Sequence, residues 1–206
     1  MSIILQANAC LREAMRKQHE ERREEIAAAA LAILAEEGPR QLTARNLGAR
    51  VGMDGSSLFR HFENKAAILH AALDLFETVL SDTFPDAEPC WESLKTFFLR
   101  RLALVQARPE VIRLAFNQHL LVVTGETEHA DRVRKVVARS VSFIRACLER
   151  AQSAGVISDA VPAAAQVWVV TGMLRGAALG SVHPRPTPEE AWQWLASTLQ
   201  ERDRQR

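Results

Sequence analysis

Apolar residues recur along this chain at helical spacing and almost nowhere at the alternation of a half-buried strand. Ile26, Ala30, Ile33 and Leu34 fall at i, i+4, i+7 and i+8, and Gly38-Pro39 stops the run. Leu94, Phe97, Phe98, Leu102 and Val105 repeat the pattern up to Arg108-Pro109. Val133, Val137, Val141, Ile144, Leu148 and Ala151 continue it for about five turns until Gly155. The last stretch opens with a capping box, Thr187 with Glu190, around Pro188 at the first helical position. Asp54-Gly55 sits between helical patterns rather than between alternating apolar residues. The pattern predicts an all-α protein.

Helix length then divides the chain. Between Thr43 and His61 the elements are short and closely punctuated; from Ala66 onward they are long and amphipathic. This predicts an N-terminal extension over 1–22, a three-helix module over 23–69 and a larger helical bundle over 70–206. In the extension, Arg12, Arg16, Lys17, Arg22 and Arg23 are balanced by Glu13, Glu20, Glu21, Glu24 and Glu25, which reads as a solvated continuation of the first helix. The 206 residues are 48% hydrophobic and 25% charged, with a net charge of +1. A chain this neutral attracts neither nucleic acid nor anionic membrane as a whole, so any charge argument is local.

Other classes drop out. Three cysteines (Cys10, Cys90, Cys147) without ligand spacing exclude a disulfide scaffold and a zinc ribbon. Met1-Ser2-Ile3-Ile4-Leu5 is too short an apolar run for a signal peptide, and the apolar stretch from Val161 to Leu174 is cut off by Arg175. A cytoplasmic protein without cofactor is expected. Glu126, Glu128, His129 and Asp131 read as acidic residues at a helix start rather than a metal site.

The informative stretch runs from Leu42 to Lys65. Thr43 is placed to cap a short helix that buries Leu47 and Val51, and Gly52 supplies a left-handed terminus with Met53 as an apolar plug. Asp54 is expected to cap a second short helix that turns Leu58 and Phe62 inward, and Asn64 to cap a third. Helix, tight glycine turn, helix is the geometry of a helix-turn-helix, with its second helix offered to a major groove. Gly55, Ser56 and Ser57 make that helix start small and polar, and its free N–H groups favour an anion. Arg40, Arg45, Arg50, Arg60 and Lys65 outnumber Asp54 and Glu63, a local positive surplus suited to phosphate.

The run Gly52-Met53-Asp54-Gly55-Ser56-Ser57-Leu58-Phe59-Arg60-His61-Phe62-Glu63-Asn64-Lys65 closely resembles the DNA-binding signature of tetracycline-repressor (TetR) family regulators. That resemblance covers about residues 24–69. It implies phosphate contacts from Thr43, Ser57 and Lys65, and base or backbone contacts from Arg45, Gly55, Ser56, Arg60 and His61. Phe59 stands where the family usually has a phosphate-binding tyrosine, so its ring is left to pack against sugar and methyl groups. Gly48 replaces a usual alanine, at ~1 kcal/mol of helix propensity.

The resemblance also implies that the later helices bind a small effector and form a dimer. The stretch Pro162–Gly180 is apolar nearly all round, which asks for cover on every side. Gly172, Gly176 and Gly180 recur every fourth residue and make a groove for a second helix. With Leu179 and the stripe Trp192, Leu195 and Leu199, they form the expected homodimer interface, which would set two recognition helices ~34 Å apart on double-stranded operator DNA. Candidate effector contacts are Phe98, Leu102, Phe116, His119, Phe143, Cys147, Trp168 and Met173. The expected function is a transcriptional repressor released from its operator by a small apolar effector. The alternative is a DNA-binding interaction protein controlled by a protein partner. No catalytic triad, carboxylate pair or phosphate loop points to an enzyme.

Overall fold

The computed structural model describes residues 2–116, 127–180 and 184–200, apart from the side chains of residues 2–11 and 127. Among the described residues there are eight α-helices and no strand. The chain divides into two compact units, one up to Phe76 and one from Glu77 onward.

In the first unit, α1 (Ser2–Glu36) runs unbroken for 35 residues. Its front half holds itself by pairs one turn apart: Arg16 meets Glu13 at 2.6 Å and Glu20 at 3.0 Å, and Arg22 meets Glu25 at 2.5 Å. Its rear half buries Ile26, Ala30, Leu31, Ile33 and Leu34. The helix stops as the pattern predicts, at Gly38 with φ 86° and a single 3₁₀ turn over Pro39–Gln41. Three elements follow: α2 (Ala44–Val51), a 3₁₀ segment (Gly55–Arg60) and α3 (Lys65–Ser81), within which the division between the units falls. Leu47, Val51, Leu58, Phe62, Leu69, Leu73 and Phe76 are buried with the rear half of α1.

The second unit contains α4 (Trp91–Ala107), α5 (Pro109–Phe116), α6 (Thr127–Ser153), α7 (Ala163–Leu179) and α8 (Pro188–Gln200). α4 is its axis and packs against all four others, because Leu94, Phe97, Phe98, Leu102 and Val105 bring an unbroken apolar stripe to the centre. The Cys90 thiol accepts from Ser93 N–H at 3.4 Å while the Ser93 hydroxyl accepts from Cys90 N–H at 2.6 Å, so α4 begins with a reciprocal cap. The box that opens α8 forms as expected, with Glu190 N–H donating to Thr187 at 3.2 Å and Thr187 N–H to Glu190 at 2.8 Å.

One expectation is overturned in α8. Trp192, Leu195 and Leu199 lie in the unit's own core, 7%, 1% and 3% exposed, with Trp192 against Trp91 and Phe98. The stripe faces inward because α8 closes over α4. The solvent side of this helix pair presents Trp168, Val169, Leu179 and Trp194 instead.

Candidate nucleic-acid interface

The turn between α2 and the 3₁₀ segment is built from backbone proximity. Asn46 N–H donates to the Thr43 hydroxyl at 3.1 Å and starts α2, and Gly52 ends it in the left-handed region at φ 66°, ψ 32°. A Cβ on Gly48 would stand 2.6 Å from the Met53 carbonyl oxygen, and one on Gly55 would stand 3.0 Å from that of Ala44. Two missing side chains thus let the segments approach closely. Asn64 then caps α3, accepting from Ala67 N–H at 2.9 Å.

Beyond this turn the side chains are open. Thr43, Arg45, Ser56, Arg60 and Lys65 are exposed, Phe59 is 47% exposed, and Gly55 and Ser57 are partly covered. None of Arg45, Arg60 and Lys65 is ion-paired to a carboxylate among the described residues. Solvent-facing hydroxyls, unpaired cations and an aromatic ring on one short stretch are the groups that phosphate and groove contacts use.

The local reading needs four corrections. Gly55–Arg60 is a six-residue 3₁₀ segment rather than an α-helix, too short to carry the helix-end charge expected of it. Asp54 precedes it without a side-chain cap; its carboxylate instead accepts from the Ser56 hydroxyl. Arg50 is held by Glu36 at 3.0 Å and Glu37 at 2.7 Å, so it adds little to the surplus charge.

The fourth concerns His61, whose ring stacks on His19 of α1 at 4.7 Å and whose Nδ1 is buried without a hydrogen-bond partner among the described residues. Arg23 donates to the His61 carbonyl and lies over the Phe62 ring at 4.1 Å. Burial first, then His19 and the cations Arg22, Arg23 and Arg60, hold the His61 imidazole below its ordinary range.

The second unit encloses a cavity of about 300 Å³ between the end of α3 and helices α4 to α7. Phe116 and Trp168 line it. Phe98, Leu102 and Met173 instead border a separate space of about 250 Å³, together with Gly176 and Gly180. Phe143 borders neither and stacks against Phe84 and Phe97, each at 5.3 Å; Cys147 is fully buried in the core. His119 lies outside the described residues. A residue the pattern did not single out, Arg101, lines the first cavity from α4. One signal was available: it falls four residues after Phe97 and four before Val105, on the apolar stripe.

A capped helix, a left-handed glycine turn and an exposed polar segment define a helix-turn-helix DNA-binding domain, here followed by a helical unit with its own cavity. Residues 26–76 match the family model of bacterial regulatory proteins, tetR family. Among curated relatives, the nucleoid occlusion factor SlmA of Serratia proteamaculans (strain 568) is 25% identical over 190 residues, 87% of this chain and 95% of the relative. Among solved structures, the ketosteroid transcriptional regulator KstR2 of Mycobacterium tuberculosis aligns with a TM-score of 0.71 at 16% identity, covering 88% of this chain and 96% of that one. AibR in complex with isovaleryl coenzyme A and operator DNA aligns at 0.65 and 19% identity, covering 87% and 98%.

Proposed function

We propose that this regulator is a homodimeric repressor whose hold on operator DNA is released by a small, largely apolar effector in the α4–α7 cavity. The observation that carries the DNA half is the close turn at Gly48 and Gly55 with exposed Ser56, Phe59 and Arg60 beyond it. In this reading Thr43, Ser57 and Lys65 meet phosphates, while Arg45, Gly55, Ser56, Phe59 and Arg60 meet base edges or backbone. His61 is the predicted contact whose ring is already engaged inside its own unit. Gel-shift with the DNA upstream of the protein's own gene tests the reading, and absence of a specific complex at moderate salt rejects it. Lys65→Ala is expected to weaken binding to all sequences about equally and to lower the salt slope by roughly 1, as loss of one phosphate contact should.

The dimer half is supported by an apolar face that α7 and α8 leave bare: Trp168 is 80% exposed, Leu179 57% and Trp194 57%. Among the described residues, Gly172 and Gly176 have nothing beyond their own stretch of helix within 4 Å of where a Cβ would stand, so packing against those residues does not require glycine there. The effector half is supported by the cavity and by the likeness to AibR in complex with isovaleryl coenzyme A and operator DNA. A second reading is control by a protein partner, favoured by the likeness to nucleoid occlusion factors along 87% of the chain. A metabolite screen in which nothing alters DNA affinity would favour that reading over the first.

A further inference from the structure

The cation inside the cavity pairs with no carboxylate among the described residues. Arg101 is 3% exposed, and its three hydrogen bonds among the described residues all go to neutral oxygens. Nε donates to the Thr83 hydroxyl at 2.8 Å, Nη2 to the Leu80 carbonyl at 3.0 Å and Nη1 to the Ser140 hydroxyl at a long 3.4 Å. A guanidinium carries five N–H donors, and the described residues engage three of them. A buried charge of this kind is costly until an anion joins it.

The surroundings repeat the same sign. Arg139 sits nearby, over the Phe84 ring at 4.4 Å, and Arg145 lines the cavity too, whereas no acidic residue among the described ones does. Burial and Arg139 push Arg101 down to about 9, which leaves it charged at neutral pH. Apart from Ser140 and Thr171 the rest of the wall is apolar, with Phe97, Ile112, Ile144 and Val167 among it. At about 300 Å³ the space lies at the lower end of the range for small-molecule sites, ~300–1,000 Å³.

We propose that the cavity takes an apolar monocarboxylic acid, its carboxylate on Arg101 and its body against the aromatic and aliphatic wall. This deepens the effector reading and rests on it. The competing role for Arg101 is that of a strut: it ties Leu80 and Thr83 to α4 and lies over the Phe97 ring at 4.7 Å. A strut is indifferent to the head group of a ligand, whereas an anchor is not.

Calorimetric titration of the full chain, without DNA, with decanoate, 1-decanol and decylammonium separates the two. Decanoate is expected to bind at least about tenfold more tightly than decanol, as one charge-assisted pair implies, and decylammonium more weakly still. Arg101→Met is expected to erase the preference while leaving decanol affinity in place; Arg145→Met is expected to keep it. Should Arg101→Met fail to fold, the ranking in the unaltered protein and its retention in Arg101→Lys decide the matter. Equal affinity for decanoate and decanol, no binding of decanoate, or a preference that survives Arg101→Met would each overturn the inference. A neutral effector that releases DNA from a protein unable to bind decanoate defeats this inference alone. Decanoate that binds but leaves the DNA complex intact upholds it and defeats the effector reading.

Discussion

At Gly48 the absence of a side chain is worth more than the helix propensity it forgoes. Alanine there gains ~1 kcal/mol in propensity, but its Cβ would press on the Met53 carbonyl oxygen and the Gly55 nitrogen, both backbone atoms that cannot rotate away. Overpacking of this kind costs ~1–3 kcal/mol, so Gly48→Ala is expected to lower the urea midpoint of the first unit. A rise in that midpoint would contradict the account. The linear pattern showed Gly48 only as a weak helix former, because the atoms it avoids lie across a turn.

His61 makes a second residue-scale case. Its imidazole is held below 6.5 in the fold, so the unfolded chain takes up the proton first. The stability this contributes is present above that value and lost as pH falls through it toward the folded one. Denaturation midpoints of the unaltered protein are therefore expected to drop more between pH 7.5 and 5.5 than those of His61→Asn; identical profiles would refute the linkage. The burial behind this effect comes in part from α1, whose contact through His19 no short-range signal announced.

Helices were the most legible scale, because a period of 3.6 survives any later packing. Their caps were legible too: Thr43, Gly52, Asn64 and Thr187 act as their positions imply. The partner of each apolar face was not. Trp192, Leu195 and Leu199 mark the covered side of α8, yet the same stripe serves a core or an interface equally well. α7 has apolar residues on both sides, with Val167, Val170 and Leu174 inward and Trp168, Val169 and Leu179 outward. Two variants exploit this division. Trp192→Ala is expected to cost about 3–5 kcal/mol and destabilise the second unit, as any large core truncation does. Gly176→Leu, placed where a Cβ would meet no described atom beyond its own stretch of helix within 4 Å, is expected to leave the fold intact and yield monomers in sedimentation. A Gly176→Leu protein that still dimerises would remove this face from the interface.

For the molecule as a whole, near-neutral charge could be read in advance. Cavities could not, since each is the gap left where several helices fail to meet, and no single helix records it. Of the proposed ligand contacts, Phe116 and Trp168 accordingly border one space, Phe98, Leu102 and Met173 another and Phe143 neither, and the buried charge of the first came to light only with the fold.

The chain contains no tyrosine and four tryptophans. Trp91 and Trp192 stack together at 4.9 Å, while Trp168 and Trp194 stand toward water. The molecule therefore carries its own optical gauge, an inner indole pair of steady colour beside an outer pair that water reddens. Whatever shields the outer pair, a twin subunit or an occupant of the cavity Trp168 borders, would turn the emission bluer without any dye attached.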